Sequence, residues 1–199
     1  MRKTERLCAW CGGDMPTTAR ADARFCSTRC RVASHRAAKA DAVPDELRTR
    51  ARWVRHSATK VPLTTAGKAA SSTDPRTWTT HEQASASTVG VGLGFVLDGD
   101  GITCLDLDRA LNADGTPKPW AADILRRAGA TYVEVSRSGE GLHVFGYADV
   151  RQGRRIRREG GYCVEAYGTG RFIAVTGRRF RGAPSTLADI SAVTAALTA

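Results

Sequence analysis

Short apolar runs broken by glycine-rich turns dominate the middle of the chain. Residues 91–97 and 102–107 are two such runs, separated by Asp98-Gly99-Asp100-Gly101. That pattern predicts two strands joined by a tight hairpin turn. Residues 131–135 and 142–147 read as a second strand pair, connected by Ser136-Arg137-Ser138-Gly139-Glu140-Gly141. Residues 162–167 and 171–176 read as a third, through Gly168-Thr169-Gly170. Helical periodicity appears at 119–128, with Gly129 as its stop, and at 187–197. A short helix is expected over 80–87, and another starts at 45, with Leu47, Ala51 and Val54 on one face through residue 56. Residues 57–77, rich in Thr, Ser, Gly and Pro, read as loop. Strand pairs alternating with single helices predict an α+β domain: a mixed or antiparallel sheet covered by helices.

Residues 1–40 follow a different rule, with four cysteines and a basic helical tail from Ser27 to Ala40, Ser27 being a natural N-cap. A break at Ala42-Val43-Pro44 separates them from the remainder, so the expected organisation is a small module over 1–40 and one larger domain over 44–199. At 199 residues the chain has room for no more than that.

Composition is near the globular average, and no apolar run approaches a membrane span, so a cytoplasmic protein with no membrane partner is expected. Charge changes the picture. The net +10 is unevenly distributed: residues 1–60 carry +8, 61–150 carry −4 and 151–199 carry +6. Basic flanks suit a polyanionic partner such as nucleic acid, and an acidic centre suits bound cations; solvated charged faces account for the same numbers. Five arginines within 151–158 are the densest basic stretch, either a phosphate track or a solvated loop.

Cys8-Ala9-Trp10-Cys11 and Cys26-Ser27-Thr28-Arg29-Cys30 form C-x2-C and C-x3-C pairs fourteen residues apart. Two short pairs gripping one tetrahedral ion is the pattern of a structural zinc site. A redox dithiol needs only one pair. The module either contacts DNA through its arginines or only folds the N-terminus. Cys104 and Cys163, in apolar strands, read as small buried hydrophobes.

Three further segments carry chemistry. In Leu105-Asp106-Leu107-Asp108, strand alternation puts both aspartates on one face, about 6.6 Å apart along the strand. Two carboxylates so placed suit divalent cations, although strand-end acids are often mere turn formers. In Ser138-Gly139-Glu140-Gly141-Leu142-His143, glycine-flanked amides suit a phosphate nest; His143 in an apolar strand is a phosphate donor or a satisfied structural residue. Glu165, inside Cys163-Val164-Glu165-Ala166, needs a cation, an arginine such as Arg171, or solvent.

In this order and spacing the three segments resemble the hhhDhD, sxxGxH and third-acid motifs of the archaeo-eukaryotic primase superfamily, in its phage and plasmid primase-polymerase (prim-pol) branch. Trp53, Lys60-Val61-Pro62, Trp78 and residues 92–97 resemble the family's N-terminal lobe, and 171–177 the strand after the third acid; the likeness covers about 44–180. The resemblance implies an RRM-like catalytic core and template-directed nucleotidyl transfer in primer synthesis or extension. Asp106, Asp108 and Glu165 would bind Mg2+ or Mn2+, and Ser138, Gly139 and His143 would contact the incoming NTP or dNTP. Lys60 and Arg171 would be further phosphate contacts. The family's third acid is often Asp, so the longer Glu165 departs from it. The family's helical domain and a helicase find no counterpart after 177, so a separate replicative helicase is expected beside the DNA template. Two other functions suit the same residues: a metal-dependent nuclease, and a zinc-bearing DNA-binding accessory protein with a degenerate core.

Overall fold

The computed structural model describes residues 6–32, 34 and 43–198. The chain divides into two compact units, Met1–Ala42 and Val43–Ala199. In the first, residues 28–32 are helical, and Ser27 caps them: its Oγ accepts from the Cys30 amide at 3.2 Å. The rest of the helix expected to reach Ala40 lies outside the described residues, apart from Ser34.

The second unit contains α1 (Asp45–Arg48), β1 (Trp53–His56), β2 (Pro62–Leu63), α2 (His81–Ala86), β3 (Gly92–Asp98) and β4 (Ile102–Leu107). They are followed by α3 (Pro119–Ala128), β5 (Val133–Val135), β6 (Leu142–Tyr147), β7 (Arg154–Arg157), β8 (Cys163–Tyr167), β9 (Thr169–Val175) and α4 (Ser191–Thr198). A single 3-10 turn covers Pro75–Thr77. The architecture is α+β, as expected, and every ladder between named strands is antiparallel.

The strands form two sheets rather than one. A four-stranded sheet runs β2-β1-β3-β9 and a five-stranded sheet runs β5-β6-β4-β8-β7. Two expected hairpins are therefore corrected. β3 and β4 are consecutive but lie in different sheets, as do β8 and β9. The reason is burial on both faces: Phe95, Val96 and Leu97 are all buried, as are Ile102 to Leu105. A hairpin with one wet face would expose half of these side chains. The turn at Asp98–Gly101 instead carries the chain across, with Gly99 and Gly101 both at φ +91°. Arg52 pins the turn by ion pairs to Asp98 and Asp100 while its guanidinium lies 4.8 Å over the Phe95 ring.

The helix expected over 45–56 ends at Arg48, and Trp53–His56 is a strand instead. Pairing with β3 and full burial of Trp53, whose indole N–H donates to Leu47 O at 3.1 Å, outweigh the helical spacing. Residues 57–77 are mostly loop, with β2 and the 3-10 turn inside them. The 80–87 helix is α2, with Thr80 and Gln83 forming a capping box. The 187–197 helix starts later, at Ser191. Residues 151–158 are neither loop nor helix throughout; they contain the edge strand β7.

Alternation along β4 sets the core. Leu105 and Leu107 pack in one cluster with Ala121, Ile124 and Ala128 of α3 and Val193 and Leu197 of α4. Ile102 and Cys104, on the opposite face, pack with Phe95, Leu97 and Ile173 of the four-stranded sheet. Helices thus cover one face of the five-stranded sheet and the second sheet covers the other. Asp106 follows Cys104 on the inter-sheet face.

Candidate active site

In the first unit Cys8, Cys11, Cys26 and Cys30 converge, with all four sulfurs within 4.8 Å of one another. Cys11–Cys26 and Cys26–Cys30 sulfur distances are 3.7 and 3.5 Å. A tetrahedral ion held by four thiolates at about 2.3 Å separates them by about 3.8 Å, so the donor set fits zinc. The Cys11 and Cys26 amides donate to Cys8, lowering its pKa to about 6, whereas hydrogen bonding with the Cys30, Cys8 and Cys11 sulfurs pushes Cys26 up to about 12. The cluster could therefore hold a structural metal such as zinc. Chelation is expected to strip hydrogen-exchange protection from residues 6–32 and leave 43–198 protected, because so small a unit folds on its metal. Unchanged protection at 6–32 would remove zinc from the account.

The second unit holds a pocket of about 870 Å³ between its sheets. Its lining includes Lys60, Asp106, Asp108, Ser138, His143 and Arg171. Neither Gly139 nor Glu165 is part of the lining; Glu165 is the cross-strand partner of the lining residue Asp106. Lys60 sits at φ +61° in a turn closed by its amide to Ser57 O. That turn is tied to the β5–β6 connection by Arg137, which donates to Ala58 O at 2.8 Å.

Strand register organises the polar groups. Glu134, His143, Asp106, Glu165 and Arg155 are direct cross-strand partners on β5, β6, β4, β8 and β7. They form one row across the five-stranded sheet, on one face. Glu134 is fully buried and accepts from His143 Nδ1 at 2.8 Å, the Tyr132 hydroxyl at 2.9 Å, and the amides of Thr176 and Gly177. This leaves His143 Nε2 facing Asp106, 3.8 Å away. Burial alone would lower the His143 pKa. The hydrogen bond and charge of Glu134, with Asp106 adding, reverse this and raise it. Burial also raises the pKa of Asp106, and neighbouring Asp108 and Glu165 push it the same way against His143 and Lys60.

Glu165 has three partners: Arg155 Nε at 2.8 Å, the Tyr167 hydroxyl at 2.8 Å and Arg171 at 3.9 Å. Arg171, expected from sequence as its partner, is the most distant of the three. Asp108 accepts from the Cys163 thiol at 3.3 Å and lies 3.9 Å from Arg155. Cys104 and Cys163 are buried and free, as their apolar surroundings suggested.

The Ser136–Gly141 turn is largely self-satisfied. The Gly139 amide donates to Ser136 O, the Glu140 amide to Ser138 Oγ and the Gly141 amide to Ser136 Oγ. It therefore offers the pocket hydroxyls and Arg137 more than bare amides. Glu134 was missed in the sequence, although a lone charge in Val133-Glu134-Val135 is the same signal that singled out Glu165. Arg109, in the pocket wall at φ +50°, carried no comparable mark, and Arg155 was marked only as one of the five arginines of 151–158.

Among the described residues no helix is long and apolar enough to cross a membrane. No protein-family model matches the chain. It is 36% identical over 138 residues to a DNA primase-polymerase of Nitratiruptor phage NrS-1, a match covering 65% of this chain and 19% of the relative. The chain thus spans about a fifth of that relative's length. Over that stretch it is a homologue of a phage DNA primase-polymerase.

Proposed function

We propose that residues 44–199 are a prim-pol catalytic core that performs template-directed nucleotidyl transfer in DNA replication, with residues 1–40 as its zinc module. One observation carries this reading: a single pocket is lined by two adjacent aspartates, a buried histidine, Ser138, Lys60 and Arg171. It holds acidic ligands for cations and basic ligands for a triphosphate side by side. The homology to a primase-polymerase supports the same reading.

Asp106 and Asp108 fit divalent cations. The like charges that raise the Asp106 pKa are what Mg2+ or Mn2+ would neutralise. Glu165 fits as a third ligand once it exchanges Arg155 for the cation. Bound there, the ion supplies Lewis-acid activation of the primer hydroxyl and neutralisation of the leaving pyrophosphate. The protein's own part is positioning and charge. His143, held by Glu134, presents Nε2 to a phosphate oxygen. Ser138 offers a hydroxyl, and Lys60 and Arg171 screen the remaining charge. Arginines of the 151–158 segment hold the template backbone, so binding weakens steeply with salt.

Purified full-length protein with primed DNA template, dNTPs or NTPs, and Mg2+ or Mn2+ is expected to extend the primer. Nucleotide-independent cleavage of the DNA would make it a nuclease. Tight DNA binding without any metal-dependent reaction would make it an accessory protein.

A further inference from the structure

Glu165 and Asp108 share one guanidinium. Arg155, on the sheet-edge strand β7, lies 2.8 Å from Glu165 and 3.9 Å from Asp108. Those are two of the three carboxylates read above as cation ligands. A guanidinium between two such acids occupies, electrostatically, the place of a divalent ion. Arg155 is also suited to leaving. Its side chain is 51% exposed, whereas that of Glu165 is 10% exposed, and β7 is the edge strand of its sheet among the described residues. The long side chain can swing to solvent without opening the core, while Glu165 stays in place under the Tyr167 hydroxyl. Arg171, the more distant guanidinium, is stacked 4.8 Å over the Tyr167 ring and does not reach Asp108 in the same way.

We propose that Arg155 is the resident counter-ion of the acidic site, and that a divalent cation must displace it to gain Glu165 as a ligand. The proposal rests on the reading of Asp106, Asp108 and Glu165 as cation ligands. It makes the edge strand, rather than the carboxylates alone, a determinant of metal affinity. The displaced guanidinium then lies on the pocket side of the sheet edge, where a nucleic-acid phosphate is its natural partner.

The test is Mn2+ binding to zinc-loaded full-length protein, followed by the electron paramagnetic resonance of free Mn2+ with no nucleotide or DNA present. R155Q is expected to bind Mn2+ about two- to fivefold more tightly than wild type, the scale of losing one part-exposed competing ion pair. R157Q removes the same charge from the same face of β7, two positions along, and is expected to change affinity less than about twofold. R155K, which keeps the charge but loses the planar fork, is expected to lie between wild type and R155Q and serves if R155Q does not fold. Equal or weaker Mn2+ binding by R155Q, or an equal gain in R157Q, overturns the proposal while leaving the acidic site standing. Absence of Mn2+ binding in all proteins, D106A/D108A included, overturns the acidic-site reading and the proposal with it.

Discussion

Replacing Asp106 and Asp108 together by alanine is expected to reduce primer extension by about 10³-fold or more, the loss typical of removing principal electrostatic elements from a reaction centre. The same change is expected to leave the fold intact or slightly stabilised. Asp106 is a partly buried carboxyl whose charge is disfavoured by burial and by Asp108 and Glu165, and among the described residues no backbone amide donates to it outside the strand ladders. Asp108 is 44% exposed and makes one thiol contact and one distant ion pair. Truncating both therefore relieves repulsion and leaves His143 with its Glu134 partner. Activity and stability should move apart, as they do when charges are held together for function at a cost in stability. Extension rates and urea midpoints of the two proteins check this. Equal extension by wild type and the double variant would end the nucleotidyl-transfer reading; a collapsed urea midpoint would show the aspartates to be structural.

Glu134 is expected to behave in the opposite way. Glu134→Ala leaves a buried histidine without its carboxylate and strands two backbone amides and a tyrosine hydroxyl. Breaking a buried pair of this kind costs about 3–5 kcal/mol. Glu134→Gln keeps the shape and part of the hydrogen bonding, so a loss of about 1–3 kcal/mol is expected. It also changes the pH dependence. The folded state raises the His143 pKa, so the proton it binds favours folding. That contribution is fully present below the ordinary histidine value of about 6.5 and is lost as pH rises through the higher folded-state value. Wild type should therefore lose stability over that rise, and Glu134→Gln should lose less. Urea midpoints of both proteins from pH 6 upward measure the difference. The two remaining described histidines of the second unit, His56 and His81, are common to both proteins and cancel in it. Parallel pH profiles would mean that Glu134 does not govern the charge of His143.

The sequence made the candidate site more legible than the topology. Asp106, Asp108, Ser138 and His143, which line one pocket, stand out because each lies in or beside a short apolar strand, where a polar residue needs a reason. The four cysteines were found because their spacing has few uses. Strand partners were less legible: proximity in sequence suggested hairpins at 98–101 and 168–170, and the chain instead crosses between sheets at both. A turn motif encodes a reversal of direction but not which sheet receives the next strand; that is decided by burying Phe95 to Leu97 and Ile102 to Leu105 on both sides. Trp53–His56 reads as helix for the same reason, since its β3 partner lies some forty residues on. Glu134 carries a local mark as a lone charge in an apolar strand, but its partners, like those of Arg155, follow only from register.

The row Glu134–His143–Asp106–Glu165–Arg155 has a consequence for how this protein can vary. Its five members come from five strands, and their alignment is maintained by backbone ladders rather than by the segments that connect those strands. The exposed stretches 112–114 and 151–153 can therefore lengthen or shorten without moving the chemistry, whereas Arg109 of the pocket wall and the buried Ala110, Leu111, Ala148 and Val150 cannot shift so freely. A single residue inserted within β4, β6 or β8 shifts every later side chain of that strand to the opposite face. Tolerance to insertion and deletion should thus be steeply divided along this chain, generous in the connections and close to nil within three strands.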